Sequence, residues 1–431
     1  VTGNEDGVIF SIGDDIAVTG IDDVDGNESV TGALAGLAIN GTSVAITEAT
    51  EGTEYTFSGT SFAGLKDGDQ VTDAGNVTDF ITAEDGSFTV LGTAMAVAGD
   101  SAAKFSITDG ALTAVSELSG TATGDFGGDI SVNTEAIKIT GDSDSSVAVT
   151  ADDDVITASG SVSGTVALEQ IGSASQVATD GNGTFNFVDG GQSFSTFSSD
   201  GVVFGLDETT RKVTSIDGID QTAEGVAGDF SDGITVDGNL IQVENNGNIA
   251  VINGGGSTGV GIFGLTDGAT VGAASGIVAA VSVNEGTFTF ADGKTFNVAG
   301  DSIVEFVLDG EGRVVGIADV DETATITGDL NGITINETPP EINVPTNEDL
   351  TYGNDALSGV KDGDVVESAD NVSKIKTTES GTFTIGGKSF VTLTGDVSAV
   401  QNAVKNGALS AAAMPDALAQ RQALAKSDWH D

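Results

Sequence analysis

The chain has 431 residues, a formal charge of −52 from 66 Asp and Glu against 14 Lys and Arg, one histidine and no cysteine. A field of that sign repels nucleic acid and anionic lipid, and no apolar run is long enough for a membrane-spanning helix, so neither partner is expected. The hydrophobic fraction of 39%, with apolar residues that alternate, argues for a folded chain over a disordered one.

From the N-terminus, Val8-Ile9-Phe10-Ser11-Ile12 and Ile16-Ala17-Val18 flank Gly13-Asp14-Asp15 and predict a β-hairpin. Gly36-Leu37-Ala38-Ile39-Asn40 then opens a set of short strands that recurs at Asp129-Ile130-Ser131-Val132-Asn133, Gly233-Ile234-Thr235-Val236-Asp237 and Gly332-Ile333-Thr334-Ile335-Asn336. Interleaved with it is a second glycine-led set: Gly86-Ser87-Phe88-Thr89-Val90, Gly183-Thr184-Phe185-Asn186-Phe187, Gly286-Thr287-Phe288-Thr289-Phe290 and Gly381-Thr382-Phe383-Thr384-Ile385. Each member predicts the first strand of a hairpin; the Gly286 copy turns at Ala291-Asp292-Gly293 and returns through Lys294–Val298. A further hairpin follows around Phe105, Phe204 and Phe306, and Phe10 occupies the matching place in the opening hairpin. Alternate units share Gly64-Leu65-Lys66-Asp67-Gly68-Asp69, Gly264-Leu265-Thr266-Asp267-Gly268 and Gly359-Val360-Lys361-Asp362-Gly363-Asp364.

Half-units of about 48 residues thus pair into a period of about 100, and a unit too short to bury its own apolar face must pack on its neighbours. The expected fold is all-β. Small sandwich-like repeats in tandem are the first reading, because solenoid coils usually repeat at roughly 20–30 residues, and a β-solenoid is the alternative. The expected divisions are a partial repeat over 1–35, repeats over 36–128, 129–232 and 233–331, an incomplete repeat over 332–395, and a helical tail over 396–431. The tail is read from Asp396 as an N-cap with Val397, Val400 and Val404 on one face.

Both ends look unfinished. The opening hairpin is a second hairpin without a first, and Thr382–Leu393 is a first hairpin without a second. This predicts head-to-tail docking in which Val8, Phe10 and Ile12 of one copy meet Phe383, Ile385 and Phe390 of another; the sole tryptophan, Trp429, is either an anchor to the neighbour or part of a loose end. The competing reading makes Val1 a boundary within a longer array.

Catalytic chemistry is thinly represented. The only histidine, His430, is the penultimate residue of the sequence, and with no cysteine that leaves no His–His or Cys–His zinc set. Glycosidase clefts are usually rich in Trp and Tyr, whereas one Trp and two Tyr, Tyr55 and Tyr352, occur here. An enzyme is not expected. Asp67, Asp69, Asp362 and Asp364 are candidate Ca²⁺ ligands, since clustered turn carboxylates supply the oxygens that calcium prefers. The competing reading of the same residues is turn formation. No other cofactor is expected.

The phrases Gly-Ile-Thr-Val-Asp-Gly, Gly-Thr-Phe-Thr-Phe-Ala-Asp-Gly-Lys-Thr-Phe and Gly-Leu-Thr-Asp-Gly-Ala-Thr-Val resemble those of long tandem-repeat surface proteins of anaerobic bacteria. The resemblance spans most of residues 1–395 and implies an extracellular location with a structural or adhesive role, but it transfers no functional residue. The expected function is that of a secreted structural subunit of a bacterial filament, its partners being copies of itself. The alternative is an adhesin stalk, surface-layer or glycan-binding protein that meets a host or cell-surface ligand.

Overall fold

The computed structural model describes residues 7–392 apart from 25–27, 100–101, 127, 129, 134, 141–145, 151–154, 160–164, 180–181, 199–200, 220–222, 256–258, 302, 322, 337–341, 344–348 and 368–371. Among the described residues every regular element is a β-strand and none is a helix. The tail expected over 396–431, with Trp429 and His430, lies outside the described residues, as do Pro339, Pro340 and Pro345.

Local chemistry accounts for the strands. In the Gly286 copy, Gly286–Thr289 pairs antiparallel with Thr295–Ala299, placing Phe288 opposite Phe296 on one face and threonines on the other. In the Gly381 copy, Gly386 and Gly387 both take positive φ, 56° and 70°, as a two-residue hairpin turn requires.

The chain forms two compact units, Val1–Asp220 and Gln221–Asp431. In the first, strands accumulate into two ladders. One runs from Ser29–Gly32 through Tyr55–Ser58, Ser61–Leu65, Asp79–Thr82, Lys104–Thr108 and Ala111–Ser116 to Ile130–Val132 and beyond. The other runs from Ala45–Thr47 through Gln70–Asp73, Gly86–Val90, Thr93–Ala98 and Thr121–Gly124 to Ser146–Thr150 and beyond. The two ladders face one another across a core of Phe, Val, Ile and Leu, with Phe62, Phe80, Phe105, Phe185 and Phe204 fully buried. The second unit is built the same way around Phe288, Phe296 and Phe306.

The architecture is a β-solenoid, so the alternative reading holds and the tandem-sandwich reading does not. Hairpins are joined by parallel pairings between strands about one coil, or 18 residues, apart, as Ser61 with Asp79, Thr165 with Thr184 and Ala356 with Lys374. These parallel pairings link one hairpin to the next within a ladder, where separate sandwiches would each close on themselves. The half-unit length of about 48 misleads because it combines a short coil with hairpins that double the chain back on itself.

Successive 100-residue repeats exchange sheets. In the first unit, the Gly86 hairpin and the hairpin over Val203–Leu206 and Val213–Asp217 share one sheet, while the Lys104 and Gly183 hairpins share the other.

Candidate functional site

The four calcium candidates fall into two kinds of position, and the carboxylates are used by the backbone. The Ser87 amide donates to Asp67 Oδ1 at 2.7 Å, the Thr382 amide to Asp362 Oδ1 at 2.6 Å, and the Thr287 amide to Asp267 Oδ1 at 2.8 Å. The Asp-Gly turn and the Gly-Thr-Phe strand are therefore one device, a carboxylate staple closed across 20 residues. Its tightness explains the glycine that leads these three strands: a Cβ on Gly86, Gly286 or Gly381 would lie 2.5–2.6 Å from the Cβ of the stapling aspartate. Asp69 is fully buried and accepts from the Ala49 and Lys66 amides and the Tyr55 hydroxyl. Burial, and then the hydrogen bond to Asp69, hold the Tyr55 phenol well above the usual tyrosine range. Asp364 accepts from the Lys361 amide at 2.6 Å. Among the described residues no group of three or more metal-ligating side chains converges.

A second device closes the other repeated motif. Asn40, Asn133 and Asn336 sit at φ of 50°, 45° and 47°, the left-handed region that asparagine tolerates. Each side chain grips one distant backbone residue twice. Asn336 accepts from the Val320 amide at 3.0 Å and donates to the Val320 carbonyl at 3.0 Å; Asn40 does the same with Val24 and Asn133 with Leu118. Buried hydroxyls make a third: Thr179 and Ser282 exchange hydrogen bonds with the backbone of Val202 and Val304.

Between the sheets, the phenylalanine of each second hairpin inserts against the hairpin before it. Phe88 meets Phe105 at 5.7 Å between ring centroids, Phe185 meets Phe204 at 5.8 Å, and Phe288 meets Phe306 at 5.5 Å. Phe306 also touches Phe290 at 4.8 Å and Phe296 at 5.8 Å. The two motif families noticed separately in the sequence are thus the two halves of one aromatic interlock.

The opening hairpin has the same construction, and its apolar face is exposed. Ile9–Ile12 pairs with Val18–Asp22, Phe10 opposite Ile21, with a bulge after Ser11. The corresponding bulges follow Ser106, Gly205 and Val307, and Phe105, Phe204 and Phe306 stand opposite Val115, Ile216 and Ile317. Those three phenylalanines are 0% exposed, whereas Phe10 is 50% and Ile12 61% exposed; Val8 is half-buried. At the other end, Phe383 is buried, but Ile385 and Phe390 are only half-covered, unlike the buried Phe290 and Phe296 at the same repeat positions. Ile375, Phe383, Ile385 and Phe390 line an open groove of about 440 Å³ with Val372, Lys374 and Thr377. Ile375 was missed in the sequence because Lys374-Ile375-Lys376-Thr377 is too short and basic to stand out as a core strand. The signal that could have found it is its place one coil after Ala356-Leu357-Ser358. Val8, Phe10 and Ile12 share one hairpin and Phe383, Ile385 and Phe390 another; Trp429 lies outside the described residues.

The fold and site define a class, an acidic β-solenoid with repeating interlocks, an exposed apolar face on the Ile9–Asp22 hairpin and an apolar groove at the Gly381–Thr392 hairpin. No family model, curated protein or solved structure matches the chain.

Proposed function

We propose that the chain is a secreted structural protein, a subunit of an extracellular bacterial filament that assembles head-to-tail from copies of itself. One observation carries this reading: an aromatic contact satisfied three times inside the chain is left open on the opening hairpin, where Phe10 and Ile12 face solvent. Exposed apolar faces of this kind mark interaction surfaces. A contact between unlike surfaces propagates without closing, which gives a fibre and not a ring. The dense backbone staples suit a load-bearing role. The acidity of the chain suits solubility before assembly. Negative-stain microscopy of the purified chain at rising concentration tests the reading. Long fibres of constant width are expected; particles that stay discrete at every concentration, as an adhesin stalk would, contradict it.

A further inference from the structure

The proposed filament has a definite joint, and the interior of the chain supplies its template. Each internal second hairpin has two neighbours in its ladder. Lys104–Thr108 bonds to Ala111–Ser116 on one side and, antiparallel, to Asp79–Thr82 on the other; Glu305–Leu308 likewise lies between Val314–Ala318 and Ile277–Ser282. Ile9–Ile12 has its hairpin partner, Val18–Asp22, and no second neighbour among the described residues. The strand that should flank it is the counterpart of Asp79–Thr82 and Ile277–Ser282, both of which also pair in parallel with a strand one coil earlier. Lys374–Thr377 is that counterpart. It pairs in parallel with Ala356–Val360, and its other edge has no neighbour among the described residues.

A second pair of edges matches in the facing ladder. Thr93–Ala98 bonds to Thr121–Gly124, and Thr295–Ala299 to Thr325–Gly328. Lys388–Thr392 stands in the place of the first member and Ser29–Gly32, with the sequence Ser-Val-Thr-Gly, in the place of the second; each has one bonded neighbour among the described residues. Two unpaired edges in one unit therefore correspond, one for one, to two unpaired edges in the other.

We infer that a second copy of this chain docks by strand addition in both ladders, Ile9–Ile12 antiparallel to Lys374–Thr377 and Ser29–Gly32 antiparallel to Lys388–Thr392, and this rests on the filament reading above. The internal copies fix the register. Phe105 stands opposite Phe80 and Phe306 opposite Ala280, so Phe10 stands opposite Ile375 and its ring enters the groove lined by Phe383, Ile385 and Phe390. The Ala103 and Val304 carbonyls accept from the Thr82 and Ser282 amides, so the Val8 carbonyl accepts from the Thr377 amide. The Thr377 hydroxyl then grips the Val8 backbone as Ser282 grips Val304. In the second ladder Phe296 stands opposite Gly328, so Phe390 stands opposite Gly32. Main-chain bonds supply affinity in such strand addition and the side-chain pockets supply specificity.

Engineered cysteines test the register cleanly because the chain has none of its own. Residues 9 and 376 fall opposite one another on the outer face of the joint, as Lys104 and Ile81 do internally, and both are exposed, so neither change disturbs a core. Oxidation of the full chain carrying I9C and K376C is expected to give a disulfide-linked ladder of multimers, and the pair I9C with K388C none. Phe10→Asp, on a half-exposed side chain, is expected to leave melting unchanged and abolish both the ladder and the fibres. Fibres without a 9–376 ladder, or fibres that survive Phe10→Asp, overturn the joint while leaving the filament reading intact. A wild-type chain that never forms fibres or multimers overturns both.

Discussion

At the scale of single residues, the staples show why particular side chains recur. Asn336 serves the Val320 amide and carbonyl at once, and alanine can serve neither. Asn336→Ala is expected to cost about 1–3 kcal/mol, the usual consequence of stranding part-buried backbone groups; a denaturant midpoint equal to wild type would contradict this. Glu305 carries the opposite sign. Burial, and then the charge of Asp319, hold its carboxyl above the usual carboxylate range, so its ionised form opposes folding. That opposition is absent below the ordinary carboxylate range, where the group is protonated folded or unfolded, and it sets in as pH rises through the raised folded-state value. Glu305→Gln is therefore expected to melt higher than wild type at pH 7, with the gap closing near pH 4. A gap that widens on acidification would contradict the assignment.

At the scale of elements, the aromatic interlock couples one hairpin to the next. Phe306 is fully buried against Phe288, Phe290 and Phe296, and Phe306→Ala is expected to cost about 3–5 kcal/mol, as for other buried aromatic truncations. A smaller effect in calorimetry would mean that neighbouring side chains collapse into the cavity. The hairpins themselves were legible in the sequence. Gly286–Thr289 with Thr295–Ala299, and Gly381–Ile385 with Lys388–Thr392 around the Gly-Gly turn, appear where alternation and turn residues put them, within a residue or so at each end. The solenoid path was not legible as the first choice, because parallel pairings such as Ser61 with Asp79 leave no turn signature; they depend on where a coil returns. The acidic turns were legible as turns, but the link from Asp67 to the Ser87 amide joins two motifs 20 residues apart that sequence inspection treats separately. The exposed residues of the opening hairpin, Phe10 and Ile12, could be singled out by analogy among copies. Their partner strand over Lys374–Thr377 was not, since only the ladder shows that Ile375 replaces Phe80 and Ala280.

At the scale of the whole molecule, a net charge of −52 on 431 residues opposes both compaction and the approach of like copies. Raising ionic strength from about 20 mM to about 200 mM shortens the screening length severalfold, so melting temperature and fibre yield are both expected to rise; fibres that dissolve in salt would point to ionic and not apolar joints. Against that repulsion stands the repeated logic of the fold, in which the hairpins of Phe105, Phe204 and Phe306 each receive their cover from the hairpin before. Hydrogen exchange before and after assembly tests most directly whether the terminal hairpins receive theirs from another copy. In dilute chain the amides of Ile9–Ile12 and Lys374–Thr377 should exchange far faster than those of Lys104–Thr108, and in assembled material they should become comparably protected. Assembled material in which those two strands still exchange as they do in dilute chain would contradict the account.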